Sequence, residues 1–443
     1  MIDIIKAVEK QRDLMFEAEE YIWNNPETGY KEFKTTAYLV EKFEELGYEL
    51  VKPDDITGFY TVIDTGREGP EVLILAELDS VICPNHPESD TETGAVHACG
   101  HHVQSATLLG IAGALREEGI LDKFCGRIRL CAVPAEELLE MEFRQSLMKE
   151  GKIKYYGGKT EFLHRGYFDG VDIAFMVHTG VASRIMKGSI GILAKTVEYK
   201  GMSAHAGSMP WMGKNALYAA TCGINAVNAI RETFEEADLI RFHPIITNGG
   251  DMVNAIPERA KIETFVRSKT FDGMLKNNKR INQALIGSAL SLDNNVEIND
   301  MVGYAPLLND QNLTMLAKNA YEMVSGGEKF EICEQTGTGS TDMGDLSCIM
   351  PAIHPYIGCA EGNSHGSNYK IVDREKGLVL NAKWQLTLLL LLLRGNGEGA
   401  KKIIKEHKPM FESREAYFEY IDSLESKGTR IDYTDRENVK VKL

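Results

Sequence analysis

Three short apolar runs, each followed by acidic residues or a histidine, constrain the fold more than any other feature of the sequence. They are Val72–Ala76, Ile128–Val133 and Ile173–Val177, and the polar residues after them are Glu77 and Asp79, Glu136 and Glu137, and His178. Near-continuous apolar runs of this length are typical of strands buried on both faces of a sheet. A helical pattern lies between the first two runs, and strands that alternate with helices predict an α/β sheet. In such sheets ligands bind beyond the carboxyl ends of the strands, where these polar residues fall.

The pattern changes near residue 190. From there the periodicity predicts strand, helix, strand, strand, helix and strand, which is the order of a ferredoxin-like unit. The first sheet is expected to resume around Ala352–Ile357, and a long helix is predicted over Leu378–Arg394. We therefore expect one discontinuous domain, residues 1–189 and 303–443, with a second domain of residues 190–302 inserted into it.

The charge balance and the apolar segments exclude some classes of function. The 443 residues include 49 Lys and Arg against 65 Asp and Glu, a formal net charge of −16. Nucleic acids and anionic membranes are bound through clustered positive charge, so neither partner is expected. The most apolar run, Leu386–Leu393, is too short to span a bilayer and predicts a buried helix. The first residues show no export signal and the eight cysteines are scattered, so we expect a cytoplasmic protein with reduced thiols.

Four separate segments carry residues that could bind a transition metal. The richest is His97–His102, which contains three histidines and Cys99, and imidazole and thiolate both suit zinc. The paired glutamates could divide the work, with one binding metal and the other accepting a proton. His178 and His365 complete the set. Each segment alone also fits a plainer interpretation, such as a polar turn, a solvated pair of glutamates or a structural histidine.

With these segments in place, the chain resembles a known family, the metal-dependent amidohydrolases of the aminoacylase and carboxypeptidase group. It is most similar to the branch that contains N-acyl-amino-acid amidohydrolases and aminobenzoyl-glutamate hydrolases. The matching segments occur in order over nearly the whole chain and are Asn25–Gly29 with Glu32, Ala76–Asp79, His97–His101, Pro134–Glu137, His178, Gly201–Ala206, Asn248–Gly250, Asn254–Pro257, Gly339–Asp345 and His365. The resemblance implies a zinc-peptidase-like catalytic domain, with a mixed, largely parallel sheet flanked by helices. It also implies that the inserted ferredoxin-like domain acts in lid closure and dimerisation.

The resemblance further implies two divalent metal ions held by Cys99, His101, Glu137, His178 and His365, with Cys99 bridging them. The thiolate favours zinc, and manganese and cobalt stay open as alternatives. Glu136 would be the general base and then the acid that acts on metal-activated water. Asp79 would hold a ligand histidine by a hydrogen bond.

The remaining residues implied by the resemblance lie mostly on the inserted domain. His205 would polarise the scissile carbonyl, in the family often in the active site of a partner subunit, so a homodimer through the inserted domain is expected. Asn254 and Arg267 match positions that hold the carboxylate of the substrate, although an exposed sheet arginine remains an alternative for Arg267. Gly339 and Ser340, in the last matching segment before His365, are also assigned to substrate binding.

Two departures from the family pattern concern the surroundings of the site. Many relatives have Asp and His where this chain has His102 and Gln104. The metal ligands themselves are unchanged, but we expect the different neighbours to alter metal preference and rate. The glycine-rich turn that usually follows the paired glutamates is replaced by a longer, charged segment up to about His164. We expect this segment, residues 138–164, to lie beside the active site and to affect substrate identity.

The sequence therefore predicts a hydrolase that cleaves the amide bond of an N-acyl amino acid or a dipeptide-like small molecule with a free carboxylate. Two alternatives remain open. One is a dipeptidase or carboxypeptidase on the same scaffold, and the other is a catalytically silent relative that only binds metal or ligand.

Overall fold

A computed structural model describes residues 1–443, which form two compact units. The first unit consists of Met1–Gly188, Leu307–Gly337 and Thr341–Arg414, and the second of Ser189–Pro306, Thr338–Ser340 and Glu415–Leu443. This division differs from the expected domains at the C-terminal end, because residues 415–443 belong to the second unit rather than the catalytic one. The reason is a strand pairing described below. Residues 415–443 are largely polar, so their sequence did not predict this pairing.

The first unit is built on a five-stranded sheet that contains the three apolar runs. Its strands follow in the order Phe59–Asp64, Arg127–Val133, Glu71–Glu77, Ile173–Phe175 and Ala352–Ile353. Only the first strand is antiparallel to its neighbour. The helices of this unit are Ile2–Lys10, Arg12–Trp23, Phe33–Glu45, His101–Leu115, Met141–Lys149, Gly158–His164, Gln311–Val324, Met343–Ser347, Asn381–Leu393 and Glu398–Glu406. The predicted α/β class, with a mixed and largely parallel sheet flanked by helices, is confirmed.

Two helices lie in the interior of the first unit. Every residue of His101–Leu115 is buried, which is why its sequence shows no polar face. The window Lys376–Leu393 is long and apolar enough to cross a membrane by those two criteria, but 72% of it is buried inside the protein. Its second part, Asn381–Leu393, contributes leucines to the main hydrophobic core, as expected of a buried helix.

The chain leaves the central sheet earlier than the apolar runs predicted. The third run was expected to form one strand up to Val177, but the strand ends at Phe175, and His178–Gly180 belongs to another sheet. There it pairs in parallel with Tyr356–Gly358. This second sheet also contains Leu307–Leu308, Arg184–Ser189 and Glu331–Gly337. His178 is thus the first residue of a new strand rather than the end of an old one.

The second unit has one six-stranded antiparallel sheet with two helices, Ala216–Ile230 and Phe271–Ser291, packed against it. A separate two-stranded sheet pairs Ile431–Asp432 with Lys440–Val441. Asn215 and Thr270 cap these helices, since each side-chain oxygen accepts a hydrogen bond from a backbone N–H of the first turn. The strands follow in the order Arg241–Phe242, Arg259–Ser268, Gly191–Lys200, Asn295–Tyr304 and Ser426–Thr429, with Ile245–Asn248 also on Arg259–Ser268.

The first four strands of this sheet have the strand order of a ferredoxin-like unit, and the strand before Arg259–Ser268 is interrupted at residues 243–244. Ser426–Thr429 extends the sheet by pairing with Glu297–Asp300, which draws residues 415–443 into this unit. The opposite edge carries Ile245–Asn248, all of whose residues are exposed. The assignment of this unit to lid closure and dimerisation stays a prediction.

Candidate metal centre and active site

The strands of the first unit bring Asp79, the paired glutamates and the start of a helix to one place. Asp79 lies two residues beyond Glu71–Glu77, and Glu136 lies three residues beyond Arg127–Val133. Gly100, between Cys99 and His101, has φ +89°, and a Cβ there would lie 2.0 Å from Thr179 Oγ1. Only glycine fits such a tight, left-handed turn, which directs the two neighbouring side chains into the same site.

Asp79 fixes two of the predicted metal ligands at once. His101 Nδ1 lies 2.9 Å from the Asp79 backbone oxygen and 3.2 Å from its Oδ1. Asp79 Oδ2 accepts a hydrogen bond of 2.8 Å from the backbone N–H of Glu137. Because Nδ1 of His101 faces oxygen acceptors, it carries the proton, and Nε2 offers its lone pair to the site. Asp79 thus occupies the position expected of a residue that orients a ligand histidine.

The other two histidines also direct their Nε2 atoms toward residues of this cluster. His178 Nδ1 donates to the Thr179 carbonyl at 2.7 Å, and His178 Nε2 lies 3.5 Å from Cys99 Sγ. His365 Nε2 lies 2.9 Å from Glu137 Oε1. Together these contacts bring Cys99, His101, Glu137, His178 and His365 into one cluster.

The cluster divides into two overlapping donor groups. In each group the ligand atoms lie within 4.8 Å of one another, and the groups are Cys99, His101 and His178, and Cys99, Glu137 and His365. Cys99 is in both. Nitrogen, sulfur and carboxylate donors at such separations suit zinc and related divalent ions. The donor set therefore fits two divalent metal ions, and Cys99 could contribute to both groups.

The electrostatics of the cluster favour the ligand forms of Cys99 and Glu137. Burial and the Glu137 charge raise the pKa of the Cys99 thiol, but His101 and His178 lower it further, to about 6. Burial also raises the pKa of Glu137, and His365 and His101 together bring it down to about 2. A thiolate and a carboxylate are the forms that bind metal, so both groups are prepared for it near neutral pH.

The loop that carries the paired glutamates is held in a strained conformation. Ala135 has φ +57°, which is uncommon for a residue with a Cβ. Its backbone N–H donates to Glu32 Oε1 at 2.7 Å, and its carbonyl accepts from Arg144 Nη1 at 3.2 Å. Arg144 also donates to the Glu137 carbonyl. These bonds hold the backbone around Glu136 and Glu137 and so fix the directions of their two carboxylates.

Glu136 differs from Glu137 in its protonation. Burial, followed by the negative charges of Glu77 and Glu137, raises the pKa of Glu136 well above its ordinary value. A buried carboxyl with a raised pKa can accept a proton and return it. Its oxygen also lies within 4.8 Å of donor atoms of His101 and Glu77. The two glutamates thus have the contrasting environments expected of a metal ligand and a proton carrier.

Several buried charged residues at this site received no role in the sequence analysis. Glu77 and Lys159 are fully buried and paired, and Asp342 is the second partner of Lys159. Glu77 was noted at the end of an apolar run but without a task, whereas Lys159 lies in the charged segment 138–164 with no pattern to distinguish it. Arg144 comes from the same segment. Through these two cations the segment contacts the glutamate loop and Glu77.

The two departures from the family pattern also have defined positions. His102 Nε2 lies 3.3 Å from Glu19 Oε1, and its ring packs against Trp23 with centroids 4.8 Å apart. Gln104 Nε2 donates to Glu77 Oε2 at 2.9 Å. Neither side chain belongs to the two donor groups. His102 therefore lines a pocket together with Glu19 and Trp23, and Gln104 supports Glu77.

The remaining site residues proposed from the sequence lie on the second unit. Arg267 donates to Ser340 Oγ at 3.1 Å, and Gly339 precedes that serine in the same short segment. His205 and Asn254 are exposed and adjacent, because the Ala206 N–H donates to the Asn254 carbonyl at 2.9 Å. The second unit therefore holds these five residues in two groups, one of three residues and one of two.

Comparison with known proteins gives a consistent result. A family model described as peptidase family M20/M25/M40 matches residues 73–389, more than half of the chain. The chain is 30% identical to the Xaa-Arg dipeptidase of Homo sapiens over 76% of its own length and 74% of that protein. It is 28% identical to the N-acetyl-L-cysteine deacetylase of Bacillus subtilis, over 71% and 73% of the two chains. A solved dinuclear metal-binding peptidase of Bacillus subtilis has the same fold, with a TM-score of 0.62 and 19% identity over 87% of this chain and 99% of that one.

Proposed function

Because the chain belongs to peptidase family M20/M25/M40 and is a hydrolase of amide bonds, we propose that it cleaves N-acyl amino acids with a free carboxylate. The observation that carries this proposal is the pair of donor groups that share Cys99, with Glu136 beside them. A shared thiolate next to a proton-accepting carboxyl is suited to hydrolysis at a two-metal centre. Zinc is our first choice of metal because of the thiolate and the imidazoles.

The reaction assigns distinct tasks to the residues of the first unit. Bound at Cys99, His101, Glu137, His178 and His365, two divalent ions would supply Lewis acidity toward water and the substrate carbonyl. The Glu136 carboxylate accepts a proton from the attacking water and later donates this proton to the nitrogen of the leaving amine. Asp79 keeps the proton of His101 on Nδ1, and through its other oxygen it holds the backbone of Glu137.

His205 has the tautomer required to stabilise a developing oxyanion. Its Nδ1 accepts hydrogen bonds of 3.1 Å from the backbone N–H groups of Gly207 and Ser208. The neutral ring therefore carries its proton on Nε2, which is a hydrogen-bond donor. We assign that donor to the substrate carbonyl, and we assign Asn254, Arg267, Gly339 and Ser340 to the substrate carboxylate and its surroundings.

The decisive experiment is a hydrolysis screen on protein reconstituted separately with zinc, manganese and cobalt. We expect acetylated and benzoylated amino acids to be cleaved, and amides without a free carboxylate to be cleaved much more slowly. Metal content is measured on the same samples. Full metal occupancy with no hydrolysis of any amide would favour the catalytically silent alternative and contradict the proposal.

Dipeptide hydrolysis is a second candidate function. It is favoured by the 30% identity to a dipeptidase that is named for substrates with a C-terminal arginine. The acidic chain, with a net charge of −16, is compatible with a cationic substrate. Side-by-side turnover of acetyl-arginine, acetyl-alanine and dipeptides that end in arginine or alanine separates the two functions by their ratios of kcat/KM.

The second unit has the surface expected of a dimer contact, and we propose that a second copy of this chain covers it. Around His205 it exposes large apolar side chains, including Trp211, Tyr218 and Val253, which are 75%, 64% and 95% accessible. Exposed apolar patches of this kind usually mark protein contacts. The free edge at Ile245–Asn248 offers additional backbone pairing. A homodimer is therefore part of the proposed function.

A mixing experiment tests whether His205 acts across that dimer. Subunits with His205→Ala and subunits with Glu136→Gln are each expected to lose nearly all activity. Mixed dimers should recover activity, because half of their sites would combine an intact Glu136 with an intact His205 from the partner. Hybrid formation is verified with two affinity tags. Demonstrated hybrids without recovered activity would mean that His205 acts within its own chain or has no catalytic task.

A further inference from the structure

Lys159 is a fully buried lysine that links two buried carboxylates next to the metal centre. Its Nζ lies 2.5 Å from Glu77 Oε1 and 2.5 Å from Asp342 Oδ1, and all three side chains are inaccessible to solvent. Its backbone N–H also donates to Asp342 Oδ2 at 2.7 Å. Asp342 therefore anchors Lys159 twice, which leaves the ammonium group in one position relative to Glu77.

Glu77 is the carboxylate that this lysine holds beside a ligand histidine. Glu77 Oε2 lies 3.1 Å from His101 Nε2, the atom that faces the metal centre, and accepts a hydrogen bond from Gln104. Two donors on one zinc ion, each about 2.0–2.2 Å from it, are separated by roughly 3.0–3.5 Å. Glu77 is thus close enough to His101 to compete for the same ion, unless its charge is held elsewhere.

The position that Glu77 could take is the one that catalysis needs. Donor atoms of Glu77, His101 and Glu136 all lie within 4.8 Å of one another. Catalytic metal sites keep one coordination position open for water or substrate, and Glu136 must be near that position to move the proton. A Glu77 carboxylate bound to the metal would fill it.

We propose that Lys159 is a positioning residue that restrains Glu77 through Oε1 and so keeps this carboxylate out of the ligand set of the ion at Cys99, His101 and His178. This inference rests on the proposed function, because it assumes that the donor groups bind metal. It assigns a task to the segment 138–164, which contributes Lys159, and this task is distinct from shaping a substrate pocket. It also explains why a lysine is buried among acidic residues, where only close ion pairs offset the cost of burial.

Removal of the Lys159 ammonium group is expected to raise the affinity for metal, whereas a change that merely loosened the site would lower it. Lys159→Met keeps the length of the side chain but leaves Glu77 without its partner and adds one net negative charge beside the metal. We expect cobalt(II) to bind at least about tenfold more tightly, the scale on which groups around a metal alter its affinity. The visible spectrum of bound cobalt should change toward a higher coordination number, and kcat should fall at least about tenfold. A merely structural role predicts weaker binding and an unchanged spectrum.

The chain offers a matched control in Lys195. This lysine is also fully buried and ion-paired, to Asp300, and it also bonds Asn282 at 2.6 Å, but it lies in the second unit. Lys195→Met should lower the thermal stability to a similar extent and leave cobalt affinity and spectrum unchanged. Lys159→Arg, which keeps the charge, should retain most of the wild-type spectrum.

Glu77→Gln supplies the test that decides the proposal. In the Lys159→Met background it should restore the cobalt spectrum and much of the kcat, because an amide is a poor ligand for these ions. In the wild-type background Glu77→Gln should leave the cobalt spectrum unchanged. This single variant tests the proposal even if Lys159→Met does not fold. A changed spectrum or lost metal in Glu77→Gln alone would show that Glu77 is a native ligand and would overturn the proposal. The cobalt measurements need no substrate, so an error in the proposed substrate would leave them intact.

Discussion

Replacement of Glu136 by glutamine is expected to lower kcat by about 10²–10⁴-fold while the protein keeps its metal. The amide has the size of the carboxyl group but cannot accept the proton of the attacking water. The surroundings of Glu136 raise its pKa, as expected of a group that carries a proton during the reaction. Steady-state kinetics on protein of measured metal content test this expectation.

The neighbouring glutamate provides the control for this variant. Glu137 belongs to a donor group with Cys99 and His365, so Glu137→Gln should lose metal and should regain part of its activity when metal is added in excess. Glu136→Gln should not respond to added metal. The reverse pattern, with metal lost from Glu136→Gln and kept by Glu137→Gln, would exchange the two assigned roles.

Cys99→Ala is expected to have an equally large effect, by a different route. Cys99 is common to both donor groups, so its loss should lower the affinity for both metal ions. The loss of affinity should exceed the 10–100-fold that is typical of residues that only support a ligand. Activity at low metal concentration should be nearly abolished. Metal analysis after dialysis against a weak chelator, followed by activity measurements, gives the result.

Cys131 is the matched control, since it is also a fully buried free cysteine of the first unit. It lies on the strand Arg127–Val133, where burial raises the pKa of its thiol to a value far from that of a metal ligand. Cys131→Ala should lower stability by about 1–3 kcal/mol through the cavity that it leaves, with metal content unchanged. If Cys99→Ala retained full occupancy and rate, Cys99 would be removed from the proposed site.

The fold was predictable to the extent that burial leaves a pattern in the sequence. The strands Glu71–Glu77 and Arg127–Val133 are buried on both faces and read as apolar runs, and the strand Arg259–Ser268 alternates because one face only is buried. The break after Phe175 was not predictable, because the residues on both sides of it are equally apolar. The docking of Ser426–Thr429 was also missed, since this strand is polar, glycine-containing and paired on one side only.

The metal-binding candidates were predictable because their chemistry is rare. Cysteine and histidine are uncommon, and their clustering at Cys99 and His101 stands out in any sequence. Glu77, Arg144 and Lys159 carry common charged side chains, which are usually solvated on the surface. Their burial depends on partners up to 183 positions away, as in the bond between Lys159 and Asp342. Local sequence contains no trace of such a pairing.

The order of the ligands along the chain has a consequence for biosynthesis. Cys99, His101, Glu137 and His178 all precede Ser189–Pro306, the main part of the second unit, whereas His365 follows that part and approaches Glu137 only after the intervening chain has been made. The edge strand Ala352–Ile353 of the central sheet is also late. At typical synthesis rates of about 5–20 residues per second, the nascent chain spends roughly 10–40 seconds with the first donor group complete and the second one lacking its histidine. If the two donor groups bind metal as proposed, loading of the second ion, and with it hydrolytic activity, would be deferred until His365 has been made.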